Sequence, residues 1–223
     1  MEKDQKLFIN TMKEKLTLLL NFIFISVFSQ YTFDYKFNVK SVYNNSEYIT
    51  QIFINSENPG YELYYYHNND IRLFDGRKSC TYNFREKLKN GEKIYKYINK
   101  GCYSNSEGTK KIGHIEITEY SNNIFIIKSF SSKIEKESNL ELKVVLEEAE
   151  DDLLCLYKLD VGNVIRQKLL TAFREVLVST KGNSNYIINK LEASYKNGFP
   201  TKTTDLVKVE ETNMILNLKR AGN

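Results

Sequence analysis

The sequence is poor in the residues that build catalytic and metal sites. Its 223 residues include two histidines, three cysteines and no tryptophan. Neither a His-x-x-x-His nor a Cys-x-x-Cys spacing occurs, so the usual zinc-site patterns are missing. A Gly-x-Ser-x-Gly turn and a glycine-rich phosphate loop are missing as well. The sequence therefore contains no common hydrolase or nucleotide-binding motif, and we assign no catalytic, cofactor-binding or metal-binding residue.

Proline is also scarce, with two residues, whereas there are sixteen tyrosines and thirteen phenylalanines. Flat aromatic side chains pack well on pleated surfaces, so this balance favours strands. The net charge is +4, and the lysines are scattered among acidic residues rather than arranged in a stripe. Short lysine groups such as Lys93 with Lys96, or Lys110 with Lys111, are too sparse for a nucleic-acid surface.

The sequence contains one long apolar run, from Leu16 to Ser29, and Lys13 and Lys15 precede it. Its length fits the apolar region of a signal peptide and is short for a membrane span. We predict that residues 1–29 are a signal peptide cut before Gln30, so that the protein is exported to the periplasm or beyond. A buried N-terminal helix or a retained anchor is the alternative, and translation can start at Met1 or Met12.

Residues 30–223 are predicted to form a single β-rich domain without a transmembrane span. Alternation is strict from Tyr31 to Lys40, which predicts a strand with Tyr31, Phe33, Tyr35, Phe37 and Val39 on one dry side. Hairpins follow, with turns at Asn-Gly and Asn-Asn pairs. The further predicted strands are 48–55, 61–66, 71–74, 93–98, 112–120, 124–130, 140–146, 153–159, 186–195, 206–210 and 214–218.

A change of period marks one helix, predicted from Asn163 to Val178. Apolar residues recur there at helical spacing, and Gly182 follows as an end signal. The apolar positions are Ile165, Leu169, Ala172, Phe173 and Val176. One apolar face indicates that the helix lies on the sheet.

The three cysteines leave two alternatives open. Cys80 and Cys102 both lie in turn-like sequence and form the candidate disulfide, whereas Cys155 lies in an apolar segment. Three free thiols are the alternative. A hydrolase that uses Cys80 or Cys102 with a histidine is a further hypothesis, although His67 and His114 are interpreted as a surface and a strand residue.

Two other clusters are candidate sites. The acidic run 147–152 contains oxygen ligands suited to calcium, but it lacks the spacing of a calcium loop and is interpreted as a solvated connection. Tyr64, Tyr65 and Tyr66 are candidates for stacking on sugars. Neighbours on a strand face opposite ways, so at most two share a face, and packing within the sheet is the preferred interpretation.

The signal that is cut before Gln30, the aromatic strand after it and the late segment Tyr195-Lys-Asn-Gly-Phe-Pro200 together resemble uncharacterised exported β-rich proteins of Bacteroidota. Some of these are similar in outline to LolA-like lipoprotein carriers and to the GLPGLI family, whose Gly-Leu-Pro-Gly-Leu-Ile motif is absent here. The resemblance implies a concave apolar sheet face able to hold an acyl chain.

The predicted fold is α+β, with about twelve strands in a strongly bent, mostly antiparallel, open-barrel-like sheet and one amphipathic helix packed on it. The predicted function is non-catalytic binding of an apolar or cell-envelope ligand, with a lipid or envelope component as partner and no cofactor. A structural or interaction module of the envelope is one alternative, and a hydrolase of unknown substrate is another.

Overall fold

A computed structural model describes residues 30–66, 69–89, 91–102, 112–196, 198 and 200–218. The proposed signal peptide, residues 1–29, lies outside the described residues. The chain divides into two compact units, one of residues 33–213 and one of residues 1–32 with 214–223. In the unit of residues 1–32 with 214–223, the segments 30–32 and 214–217 are extended. The helix and most of the sheet belong to residues 33–213.

The described residues form eleven strands and one helix. Their bounds are β1 Gln30–Tyr43, β2 Ser46–Ile54, β3 Tyr61–Tyr65, β4 Asp70–Asp75, β5 Cys80–Lys89, β6 Glu92–Cys102, β7 His114–Ser121, β8 Ile124–Phe130, β9 Leu140–Glu148, α1 Asn163–Lys181, β10 Tyr186–Tyr195 and β11 Lys202–Asn217. The predicted α+β class is confirmed. Among these residues no helix is both long and apolar enough to cross a bilayer.

The strands form one sheet in the order β6-β5-β4-β3-β2-β1-β11-β10-β9-β8-β7. Strands β1 to β6 are one meander, β7 to β11 are a second, and β1 lies beside β11 where the two meet. Within each meander neighbouring strands are antiparallel. The predicted antiparallel sheet is therefore confirmed, and its order is open, with β6 and β7 at its ends.

Strand β5 was not predicted, and Cys80 and Cys102 lie in strands β5 and β6 rather than in turns. Two predicted segments are also wrong. In the predicted strand 153–159 only Leu153 forms a bridge, to Ile187, and the segment runs irregularly towards α1. The predicted pair of strands 206–210 and 214–218 is instead one strand, because β11 continues from Lys202 to Asn217. The polar residues between the two predicted strands, Glu211 to Asn213, are tolerated because alternate side chains of β11 face solvent.

Helix α1 lies on one face of the sheet, which we term the helix face. Its buried side chains include Leu169, Leu170, Phe173 and Leu177, and Phe173 meets Phe125 of β8 edge-on at 5.3 Å between ring centroids. The helix ends at Gly182, whose φ of 84° is the left-handed conformation that glycine adopts without strain. The predicted start at Asn163 is confirmed, and the helix continues three residues beyond Val178.

The prediction of a single dry side is wrong for the first meander, because its other face is buried too. Strand β3 has four consecutive buried residues, and Leu63 and Leu73 on this far face are fully buried. Phe33 contacts Phe53 on the far face, with ring centroids 6.3 Å apart, whereas Phe37 belongs to the core on the helix face. The strict alternation predicted from Tyr31 to Lys40 is therefore broken near the start of β1.

Candidate functional site

A large cavity lies on the helix face over β1 and β2, and we term it the β1–β2 cavity. Its volume is about 680 Å³, within the range of pockets that hold small ligands. Val39, Ile52 and Tyr64 are buried in its floor, whereas Tyr48 is 47% exposed at its rim. Aliphatic and aromatic side chains therefore make up most of the lining, and Ser41, Thr50 and three charged residues complete it.

Strand alternation explains this lining. Val39 of β1 pairs with Thr50 of β2, so side chains two residues apart along each strand point into the same space. Tyr64 and Tyr66 are likewise two residues apart on the chain, and their rings stack with centroids 6.1 Å apart. Tyr65 points to the far face, where it contacts Phe53. The prediction that at most two of the three tyrosines share a face is confirmed.

Two lysines and one aspartate supply the charge at this cavity. The Lys158 ammonium lies 4.9 Å from the centroid of the Tyr66 ring, within the range of a cation–π contact. Lys202 is buried, and its ammonium donates a hydrogen bond to the backbone carbonyl of Lys158. Burial lowers the pKa of Lys202. Asp160 also lines the cavity and donates its backbone N–H to the Tyr195 hydroxyl at 2.9 Å, which holds the 158–160 segment against the sheet.

A buried ion pair lies behind the cavity wall. The Arg166 guanidinium of α1 and the Glu62 carboxylate of β3 are each 4% exposed, with Nη1 and Oε2 2.6 Å apart. Nη1 also donates to the Tyr64 hydroxyl and, at 3.0 Å, to the carbonyl of Tyr157. The Tyr64 hydroxyl in turn donates to Glu62 at 2.8 Å. Burial lowers the pKa of Arg166, but Glu62 and Tyr64 raise it by more, so the guanidinium stays charged.

Three polar atoms near the cavities are buried without a hydrogen-bond partner in the part of the chain that the structure describes. They are Nε and Nη2 of Arg166 and the hydroxyl of Tyr66. Burial raises the pKa of Tyr66 to about 12, so this hydroxyl keeps its proton at neutral pH. Unsatisfied buried donors are costly, and they mark places where a ligand or a water molecule would gain hydrogen bonds.

A second, smaller cavity of about 250 Å³ lies where α1 begins, and we term it the helix N-terminal cavity. Tyr64 and Lys158 line it as well as the β1–β2 cavity, so the two spaces share a wall. Its other lining residues include Phe74, Arg166 and the segment 162–164 at the start of the helix.

The structure joins Cys80 and Cys102 by a disulfide with an Sγ–Sγ distance of 2.07 Å, at paired positions of β5 and β6. A disulfide sulfur is not a thiolate, so in this state neither residue can act as the hypothetical nucleophile. Cys155 is a buried free thiol beside the Tyr64 hydroxyl, and burial followed by the Glu62 charge raises its pKa.

Of the two histidines, His67 lies outside the described residues. Nε2 of His114 is 3.3 Å from a carboxylate oxygen of Glu116, and its ring stacks on Phe130 in the partly exposed β7–β8 pair. The Lys110–Lys111 pair also lies outside the described part of the chain. Within that part, no group of three or more histidine, cysteine or acidic residues is placed to hold a metal ion.

Most of the acidic run 147–152 is exposed, as expected for a solvated connection, because Glu147, Glu148, Glu150 and Asp151 all face solvent. Two of its side chains also make contacts within the protein. Asp152 binds Arg174 through two hydrogen bonds, of 2.7 and 3.1 Å, and Asp151 accepts one from the Tyr35 hydroxyl at 2.7 Å. The hydrogen bond to Asp151 raises the pKa of Tyr35 to about 12.

Sequence reasoning missed the residues that carry the charge of the site, Glu62, Arg166 and Lys202. A signal was available for two of them. Glu62 falls on the same side of β3 as Tyr64, and Arg166 lies three residues before Leu169 on the apolar side of α1. No protein-family model matches this chain, and no curated protein matches it, so the site rests on its geometry.

Proposed function

We propose that this protein is exported and binds an apolar ligand, a lipid or other envelope component, in the β1–β2 cavity without catalysing a reaction on it. The observation that carries the proposal is the cavity itself, about 680 Å³ with a mainly aromatic and aliphatic wall and an exposed Tyr48 at its rim. The proposal includes a sheet bent strongly enough to enclose the chain of the ligand.

Export is supported by the Cys80–Cys102 disulfide, because such bonds form and persist in oxidising compartments. It is supported also by the apolar run Leu16–Ser29, with Lys13 and Lys15 before it. Amino-terminal sequencing of the protein recovered from outside the cytoplasm tests the proposal. We expect Gln30 as the first residue, and a chain that begins at Met1 or Met12 would refute cleavage.

The binding proposal is tested with N-phenyl-1-naphthylamine, a neutral apolar probe whose fluorescence rises on leaving water. The chain has no tryptophan, so the probe signal is free of tryptophan emission. We expect saturable binding that is weakened about fivefold by Tyr48→Asp, because a carboxylate at the rim adds a charge to a mainly apolar wall.

The matched control is Val207→Asp. Val207 is 63% exposed in a strand, as Tyr48 is 47% exposed, but it does not line the cavity. The control should bind the probe as tightly as the parent protein. Failure of the parent protein to bind, or equal effects of the two substitutions, would contradict the proposal.

A further inference from the structure

We propose that the helix N-terminal cavity binds an anionic oxygen head group, a carboxylate or a phosphate, whose alkyl chain occupies the β1–β2 cavity. This inference rests on the proposed function and names the class of ligand, an amphiphile with one anionic end. The two cavities share Tyr64 and Lys158, so they are neighbours, and the proposal places one molecule across both.

Size separates the roles of the two spaces. The smaller cavity has about 250 Å³, below the range typical of pockets for whole small ligands, and it can take a head group. The larger one has about 680 Å³ and a lining of mainly aliphatic and aromatic residues suited to a chain, with Lys158, Asp160 and Lys202 as its charged members. Ligand pockets commonly combine such an apolar body with a few placed polar groups.

Arg166 is the first feature that favours an anion, because it lines the smaller cavity and is 96% buried, the complement of its 4% exposure. Its Nη1 is occupied by Glu62, Tyr64 and the Tyr157 carbonyl, whereas Nε and Nη2 have no partner among the described residues. The guanidinium carbon lies 5.3 Å from the Phe74 ring centroid, and Phe74 lines the same cavity. Both donors are buried, and a permanent cation with two unused donors suits an anionic oxygen acceptor that reaches them.

The start of α1 also favours an anion, because it carries no negative charge. Gly162 at the N-cap has no side chain to cap the helix, and the first turn contains no acidic residue. The first backbone N–H groups of a helix lack partners within it, and the dipole places partial positive charge there. Gly162, Asn163 and Val164 line the cavity, so this helix end faces the same space as Arg166.

The charge of the whole lining has the same sign. Lys158 and Arg166 are cationic, and none of the residues that line the smaller cavity is acidic. Glu62 neutralises one charge from behind Arg166, and Lys158 remains uncompensated by a carboxylate in the lining. Asp160 lines the larger cavity, where the chain would lie.

Titration calorimetry on the full chain tests the inference with three ligands of equal chain length: decanoate, decyl phosphate and 1-decanol. We expect at least one anion to bind about tenfold more tightly than decanol, because charge-assisted hydrogen bonds exceed neutral ones. The tighter of the two anions identifies the head group. Equal affinity for all three ligands would overturn the inference.

Two substitutions locate the head group without removing the buried Arg166. Lys158→Gln should weaken binding of the preferred anion about threefold, as expected for one exposed cation, and change the affinity for decanol by less. Lys168→Gln removes another exposed positive charge, outside this cavity, and serves as its control. Equal losses in the two variants would mean that only net charge matters, which refutes the site.

Asn163→Asp separates binding from folding. An added carboxylate at the helix start should weaken the anion about fivefold while leaving the melting temperature unchanged or higher, because negative charge stabilises a helix N-terminus. Gln167→Glu, in the same helix but outside this cavity, is the control. Unchanged anion affinity in Asn163→Asp would refute the site.

Different results refute the head-group site and the proposed function. If the naphthylamine probe and decanol bind but neither anion binds more tightly, only the head-group site is refuted. If neither the probe nor any of the three decyl ligands binds, the proposed function itself is refuted, and the head-group site with it.

Discussion

At the scale of single residues, the Glu62–Arg166 pair is the most consequential contact between α1 and the sheet. Both side chains are 4% exposed, so neither charge can be shared with water. The pKa of Arg166 is raised despite burial, because Glu62 and Tyr64 outweigh the loss of water. A guanidinium is not deprotonated in proteins, so Arg166 remains a cation when Glu62 is changed. Removing Glu62 therefore leaves an uncompensated buried charge.

We expect Glu62→Gln to lower the free energy of unfolding by about 3 kcal/mol. Urea denaturation followed by circular dichroism measures this loss. Glu47→Gln is the control, because Glu47 pairs with Lys40 at 2.7 Å on the exposed surface, with 61% and 40% of the two side chains accessible. That exposed pair should contribute under about 1 kcal/mol. Similar losses in the two variants would contradict the buried pair.

The sequence could not reveal this pair, since Glu62 and Arg166 lie far apart along the chain and belong to different elements. A charged residue next to apolar ones is normally read as solvent-facing, and here tertiary packing decides otherwise. The same holds for Lys202, because its burial depends on the 158–160 segment, which has no regular structure. The local sequence pattern predicts which side of a strand or helix is apolar. It does not predict which elements pack against each other.

At the scale of elements, a helix or strand could be predicted where apolar residues recur regularly along its sequence. The start of α1 is predictable because Ile165, Leu169 and Phe173 recur at helical spacing, and β1 is predictable because its aromatics alternate. The segment 153–159 misleads because it opens with a short apolar run, Leu153 to Leu156, which is typical of both buried strands and buried coil. The residues of this run are buried, as an apolar run predicts, so the error concerns only their secondary structure.

The end of α1 provides a test at this scale. Gly182 has a φ of 84° and donates its backbone N–H to the carbonyl of Val178. We expect Gly182→Ala to cost about 1 kcal/mol of unfolding free energy, because an L side chain is strained in the left-handed conformation. Thermal unfolding measures the cost.

Gly101→Ala is the matched control for this substitution. A Cβ added at Gly101 meets no atom within 4 Å, and Gly101 is not among the positive-φ glycines. We expect a change below about 0.5 kcal/mol, as for ordinary surface substitutions. A cost at Gly101 equal to that at Gly182 would contradict the role assigned to backbone strain.

At the scale of the whole molecule, the topology sets where the cavities form. Two meanders are joined through β1 and β11, and α1 enters between β9 and β10 with its first turn over β3. Hairpins could be predicted from turn residues, because they link neighbours in sequence. The contact of β1 with β11 joins distant segments and leaves no local pattern, so neither the sheet order nor the cavities could be predicted.

The reactivity of the three cysteines tests this arrangement as a whole. The disulfide protects Cys80 and Cys102, whereas Cys155 is 1% exposed and burial raises its pKa, so it is shielded and protonated. We expect no thiol to react with Ellman's reagent in the native protein. Unfolding in urea without reductant should expose one thiol, and urea after reduction should expose three, the cysteine content of the chain.

Three reactive thiols in urea without reductant would contradict the disulfide and weaken the argument for export. One reactive thiol in the native state would instead contradict the burial of Cys155 beside Tyr64, at the centre of the proposed binding site.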